Sequence, residues 1–218
     1  MLQLRSLDRV LKSAIVAIVR APSGELLADV AEALHAGGVD VIEVTFTVPR
    51  AERVIEQVAG RLGDKILLGA GTVLDTETAR VALAAGAEFI VSPTVNLDVI
   101  RFCRRYDKLV MPGALTPTEI LSAWEAGADV VKVFPCDALG PGYLKAVLAP
   151  LPQVRLMPTG GVDLNNAASF LQAGACALGV GGSLVEKQAV ADGNLKQIEE
   201  QARRFVEVVA RTRAEMRE

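Results

Sequence analysis

Two ionisable side chains stand where apolar ones belong. Lys132 lies within Asp129-Val130-Val131-Lys132-Val133-Phe134-Pro135, a β-branched and aromatic run ended by a proline, which reads as a strand. Glu43 lies in a second such run, Val41-Ile42-Glu43-Val44-Thr45-Phe46. A buried ammonium is costly unless it is paired or gives up its proton. An amine pushed toward neutrality in this way becomes a usable nucleophile. Strand alternation puts Glu43 and Thr45 on one face and Ile42 and Val44 on the other. If the apolar face meets helices, Glu43 turns inward and can offset the buried charge of Lys132. Two bland readings compete: a strand-edge lysine with its head in water, and a purely structural ion pair.

Glycine supplies the second signal. Met157-Pro158-Thr159-Gly160-Gly161-Val162-Asp163 and Gly179-Val180-Gly181-Gly182-Ser183-Leu184 each carry a Gly-Gly pair just after a strand. Bare backbone N–H groups in such loops can hold a phosphate, and glycine permits the close approach. One pair would be read as an ordinary turn; two favour the phosphate. Arg20, ending Ala14-Ile15-Val16-Ala17-Ile18-Val19-Arg20, is placed either to contact that anion or to pair with a rim carboxylate. Thr45, Thr47, Thr72, Ser92 and Thr159 are the other polar residues at strand ends. Lys65 and Lys108 open their strands and are expected in solvent, with no role.

The elements that must position these residues alternate along the chain. A short amphipathic helix is expected over 2–13, followed by strands near 14–20, 39–46, 65–70, 88–91, 108–111, 129–135, 154–157 and 176–180. Helices fall between them, with Ser23, Asn96, Thr116 and Asp163 as expected N-caps. Thr116-Pro117-Thr118-Glu119 is a capping box with a first-turn proline, and Pro112-Gly113 is expected to stop the fifth strand. Helices are expected to end at Gly37, Gly86, Gly127 and Gly174, each at positive φ. Eight strand–helix units with uniformly apolar strands predict an α/β fold, a (β/α)8 TIM barrel with a short N-terminal helix, forming one domain over 1–218. A doubly wound open sheet is the alternative, but Gly69-Ala70-Gly71-Thr72 lacks the third glycine of a dinucleotide fingerprint. In a TIM barrel the strand-end residues converge at the carboxyl face, and loops seven and eight are the usual phosphate site.

Composition narrows the function classes. The chain has 218 residues, 51% hydrophobic, with a net charge of −3, which gives no pointer to nucleic acid or an anionic membrane. The start, Met1-Leu2-Gln3-Leu4-Arg5-Ser6-Leu7-Asp8-Arg9, mixes charge into its apolar residues and is not read as a secretory signal. No apolar run reaches the ~18 residues of a membrane span. The one histidine, His35, sits in a helical pattern, and there is no CxxC; a histidine-rich metal site within one chain is excluded, while a carboxylate-only site stays open. Cys103, Cys136 and Cys176 read as reduced thiols of a cytoplasmic protein, Cys136 as a packing residue beside the Lys132 strand.

The segments Val39–Thr45, Gly69–Val73, Phe89–Pro93, Met111–Gly113, Val131–Pro135, Pro158–Val162 and Gly179–Ser183 together resemble those of the class I 2-keto-3-deoxy-6-phosphogluconate / 4-hydroxy-2-oxoglutarate aldolase family, in family order over nearly the whole chain. The resemblance implies a Schiff base between Lys132 and the substrate C2 ketone, with Glu43 moving protons. It implies that Thr72 and Thr159 hold the pyruvyl carboxylate or nearby hydroxyls and that Phe134 packs on the pyruvyl group. Gly160, Gly161, Gly182 and Ser183, helped by Arg20, would hold the phosphate. It further implies a small phosphorylated keto acid as substrate, no cofactor, and a homotrimer. One position departs from the pattern. Many members carry a substrate-binding arginine four residues after the glutamate; here that position is Thr47, and Arg50 is the nearby stand-in, expected to face solvent. Three rivals remain: the 6-phosphogalactonate aldolase, whose usual Glu-Ile-Pro-Leu-Asn-Ser-Pro pattern is not matched here, a sugar-phosphate isomerase or epimerase, and a non-catalytic phosphosugar-binding barrel.

Overall fold

The computed structural model describes residues 2–217; Met1, which opens the charged N-terminal run, lies outside them. After helix α1 (Leu2–Ser13), strands and helices alternate: β1 (Ile15–Val19), α2 (Leu27–Ala36), β2 (Val41–Thr45), α3 (Ala51–Leu62), β3 (Leu67–Gly71), α4 (Thr76–Ala84), β4 (Phe89–Val91) and α5 (Leu97–Arg105). There follow β5 (Leu109–Met111), β6 (Gly113–Ala114), α6 (Pro117–Glu125), β7 (Val131–Val133), α7 (Gly140–Leu148), β8 (Leu156–Pro158), α8 (Ala167–Gln172), β9 (Leu178–Val180), α9 (Lys187–Ala191) and α10 (Leu195–Glu215).

Local chemistry sets several of these boundaries. The Asn96 carboxamide accepts from the N–H groups of Asp98 and Val99 and starts α5. The Thr116 hydroxyl and the Glu119 carboxylate form the expected reciprocal box at α6. Four expectations are corrected. Ser23 does not cap α2: a turn closed by Leu27 N–H on the Gly24 carbonyl intervenes, and the helix begins behind it, without a side-chain cap. Asp163 caps a separate turn instead of α8, accepting from the N–H groups of Asn165 and Asn166 ahead of Ala167. Gly86, Gly127 and Gly174 have φ between +100° and +108°, but Gly37 has φ −80° and its neighbour Gly38 takes the left-handed position at +90°. Finally, Pro112 interrupts the fifth strand without ending it. Lacking an N–H, it donates nothing, yet its carbonyl accepts from Lys132 N–H at 2.9 Å and the strand resumes as β6.

All strand pairs are parallel. Six strands form one sheet in the order β5-β4-β3-β2-β1-β9, and three form a second in the order β6-β7-β8. Backbone hydrogen bonds run between the sheets at both margins: Asp129 N–H to the Val110 carbonyl at 3.1 Å on one side, Cys176 N–H to the Leu156 carbonyl at 2.9 Å on the other, with a Thr159–Gly179 bridge beyond it. The architecture is an α/β fold whose parallel sheet curls as a half-barrel inside a layer of helices.

The alternation of each strand divides the core in two. Outward residues, Ile42 and Val44 among them, pack under the helices in one large apolar cluster. Inward residues near the amino ends, including Val16, Val41, Leu67 and Phe89, form a second cluster, and Leu7 and Val10 of α1 pack against it. One end of the curled sheet is thereby stoppered with apolar side chains, and polar residues are left to the other.

Candidate active site

Glu43 occupies the inward row of β2, paired with Ile18 on one side and Gly69 on the other. It is 1% exposed. Its carboxylate extends toward the carboxyl end of β3, where a Cβ on Gly71 would lie 2.5 Å from Glu43 Oε1; any side chain at 71 would displace it. Lys132, in the inward row of β7, is 6% exposed, and its Nζ lies 5.0 Å from the centroid of the Phe134 ring. Thr159, just past β8, is also buried, and a Cβ on Gly179 would lie 2.2 Å from its hydroxyl oxygen. Gly71 and Gly179 thus make room for the Glu43 and Thr159 side chains on neighbouring strands.

Burial pushes the two charged groups toward neutrality from opposite directions. It raises the Glu43 carboxyl above its usual range, with Lys132 and then Arg20 opposing the rise. It lowers the Lys132 amine, with Glu43 opposing the fall and Arg20 adding to it. Neither carboxylate oxygen of Glu43 has a hydrogen-bond partner, and neither does the Thr159 hydroxyl. Among the described residues these are the buried side-chain oxygen and nitrogen atoms left without one. A protein leaves such groups unpaired at a cost of about 1–3 kcal/mol each, and both residues lie toward the polar end of the sheet, Glu43 against Gly71 and Thr159 against Gly179.

A cavity of about 470 Å³ opens at that end, beside Thr159. Arg20, Phe134 and Thr159 line it, as do Gly160 and Gly161 after β8 and Gly182 and Ser183 after β9. The N–H groups of Gly161, Gly182 and Ser183 take no part in the backbone hydrogen bonds of these turns. The Ser183 hydroxyl donates to the Val162 carbonyl at 2.5 Å and ties the two loops together. Arg20 makes no ion pair among the described residues and lies on the cavity wall, so the pairing with a rim carboxylate does not occur.

Four expected site residues do not line this cavity: Lys132 and Glu43, buried in the sheet interior, and Thr47 and Thr72. Thr47 is exposed and its hydroxyl meets that of Thr45 at 2.8 Å. Thr72 is half-buried, with φ +58°, a left-handed backbone that a β-branched residue adopts only when its surroundings force it. Arg50 is exposed at the start of α3. Ser92 is buried with its hydroxyl on the Thr94 carbonyl at 2.7 Å, which accounts for it structurally. Burial pushes the Cys136 thiol up to about 11, in keeping with a packing residue. Among the described residues no group of three or more histidine, cysteine or acidic side chains could hold a metal, and no helix is long and apolar enough to cross a membrane.

Sequence reading missed Lys187, which lines the cavity, and the space-making role of Gly71. The signal for Gly71 was present as a strand glycine adjacent to a strand glutamate. That for Lys187 was a cation four residues past the second glycine loop.

The family model for KDPG and KHG aldolase matches residues 7–201. The chain belongs to that family. It is an aldolase, an enzyme of the aldehyde-lyase class. The 2-dehydro-3-deoxy-phosphogluconate aldolase of Treponema pallidum is 38% identical over 197 residues, 89% of this chain and 93% of the relative. The 2-dehydro-3-deoxy-6-phosphogalactonate aldolase of Escherichia coli is 36% identical over the same length, 89% of this chain and 94% of its own. Among solved structures, the KDPG aldolase of Legionella pneumophila, with pyruvate captured as a covalent carbinolamine, superposes with a TM-score of 0.85 at 29% identity, over 91% of this chain and 96% of that one.

Proposed function

We propose that this aldolase is of the Schiff-base kind and cleaves 2-keto-3-deoxy-6-phosphogluconate to pyruvate and glyceraldehyde 3-phosphate, and also 4-hydroxy-2-oxoglutarate to pyruvate and glyoxylate. The observation that carries this reading is the grouping of a buried, partnerless glutamate and threonine hydroxyl around a buried lysine, beside a cavity lined by two glycine loops.

Lys132 Nζ, its proton loosened by burial, adds to the C2 ketone to give a carbinolamine. Loss of water leaves a protonated imine, the electron sink for cleavage. The C3–C4 bond breaks, its electron pair moves toward nitrogen as an enamine forms, and the C4 hydroxyl gives its proton to Glu43, directly or through water. C4 departs as the aldehyde carbon. The enamine takes a proton at C3 and hydrolysis returns pyruvate and the free lysine. Glu43 suits the proton steps because burial raises its carboxyl above its usual range, which strengthens it as a proton acceptor.

Around this centre Thr72 and Thr159 hold the pyruvyl carboxylate or nearby hydroxyls, and Phe134 packs on the pyruvyl group. Thr47, where many members carry arginine, contributes its hydroxyl together with Thr45. Gly160, Gly161, Gly182 and Ser183 hold the phosphate through backbone N–H groups, with Arg20 adding charge. The two sheets act as one (β/α)8 barrel in a single domain, a reading supported by the hydrogen bonds at both margins. By family resemblance the working unit is a cytoplasmic homotrimer.

The C4-epimeric 6-phosphogalactonate substrate is a second reading, favoured by the nearly equal identity to the Escherichia coli galactonate enzyme. Pyruvate release from each of the three keto acids tests both. Faster release from the gluconate derivative supports the first reading, faster release from the galactonate epimer supports the second, and release from none of them overturns both.

A further inference from the structure

The cavity carries a second unassigned cation. Lys187, first residue of the short α9, lines it with Arg20 and the two glycine loops. Neither cation makes an ion pair among the described residues. Of the nearby acids, Asp137 sets its carboxylate against Gly160 and Gly161, and Glu186 and Asp163 are otherwise engaged. The carboxylate of Glu186, the preceding residue, takes a hydrogen bond from Gln197 Nε2 at 2.6 Å. Asp163, the acidic residue on the cavity wall, accepts from the N–H groups of Asn165 and Asn166 at 2.8 and 3.0 Å. The turn from Gly181 to Val185, closed by Leu184 and Val185 N–H on the Gly181 carbonyl, fixes where α9 starts and so where Lys187 enters the rim. Two free cations and a set of unused N–H groups facing one space match a dianion better than a monoanion or a neutral group.

We propose that Lys187 is a phosphate-binding residue of this site and makes the enzyme prefer phosphorylated keto acids to unphosphorylated ones. This rests on the proposed aldolase reading for its substrate, but not for the anion site itself. A keto acid ending in a phosphate would place two negative charges between Arg20 and Lys187. One ending at the C5 carboxylate of 4-hydroxy-2-oxoglutarate is too short to bring its charge to the same place while C2 is held at Lys132.

The test compares wild type with Lys187→Ala, Lys187→Arg and Lys187→Glu, all at an exposed position where folding tolerates change. The ratio of kcat/KM for 2-keto-3-deoxy-6-phosphogluconate over 4-hydroxy-2-oxoglutarate is expected to fall about tenfold in the alanine variant, further in the glutamate variant, and to recover with arginine. Calorimetric binding of inorganic phosphate to the same four proteins, which needs no turnover, should weaken in the same order. Equal ratios and equal phosphate affinities across the series overturn the proposal. If no keto acid is cleaved while phosphate affinity still follows the charge at 187, the anion site stands and the aldolase reading fails.

Discussion

The strand that carries Lys132 has a buried polar cluster near each end, and the two are built on opposite rules. Just before β7, Asp129 is 8% exposed, and its carboxylate is provided for. Val110 N–H donates to Oδ2 at 2.9 Å, Gln3 Nε2 donates to Oδ1, and the Arg104 guanidinium stands 3.5 Å away. Three residues on, Lys132 faces Glu43, whose oxygens are equally buried and have no partner. Burial raises both carboxyls, but at Asp129 hydrogen bonds from Val110 and Gln3 lead the opposition, whereas at Glu43 only the charges of Lys132 and Arg20 oppose it. The satisfied cluster ties α1 to the stoppered end of the sheet and holds structure. On the proposed reading the unsatisfied one keeps its hydrogen-bonding capacity for a substrate and gives up stability to do so.

That contrast is sharpest when broken at Lys132. Lys132→Ala should remove nearly all pyruvate release, a loss on the order of 10⁴-fold or more, with the far-ultraviolet circular dichroism unchanged. Lys132→Met should be equally inactive yet melt higher at neutral pH. The lysine is depressed in the fold, so it binds fewer protons there than when unfolded, and wild-type stability rises with pH from the folded value toward about 10.4, the ordinary lysine value. The melting advantage of Lys132→Met should therefore shrink as pH climbs through that window. Melting curves at neutral and alkaline pH check this, and an advantage that grows with pH contradicts it.

Glu43→Gln comes next, with a fall in kcat of roughly 10²–10⁴-fold, the range of a lost acid–base group. Because the Glu43 carboxyl is raised, the wild type loses stability as pH rises from the unfolded value of about 4.3 through the folded one. The variant should show a flatter dependence over that span. Asp129→Ala should do the reverse of both: a loss of about 1–3 kcal/mol of stability by denaturant unfolding, with kcat close to wild type. The smallest expected effect is at Thr159. Thr159→Val removes a buried hydroxyl that has no partner, so stability should hold or rise by about 1 kcal/mol while KM for the keto acid increases.

Much of this was legible in the chain because the relevant signals are local. A lysine or glutamate within a β-branched run is visible from its neighbours, and paired glycines after a strand mark a loop whatever surrounds it. The capping box at Thr116 is likewise complete within four residues. What escaped depends on contacts between strands. Asp129 reads as a polar strand opener until Gln3, from the far end of the chain, is seen donating to it. Gly71 reads as half of a Gly-x-Gly until the register beside β2 puts Glu43 Oε1 against it. Pro112 signals a stop by its missing N–H, yet its carbonyl still serves the next strand. Lys187 lines the cavity only because the turn at Gly181–Val185 brings the start of α9 to its rim.

The central claim is that the unsatisfied end of this strand is the reacting end and that Lys132 is its nucleophile. Borohydride reduction in the presence of pyruvate, followed by peptide mass mapping, tests it directly. The account predicts one pyruvyl adduct per chain, on Lys132, absent from Lys132→Ala. No adduct, or an adduct on any other lysine, would contradict it.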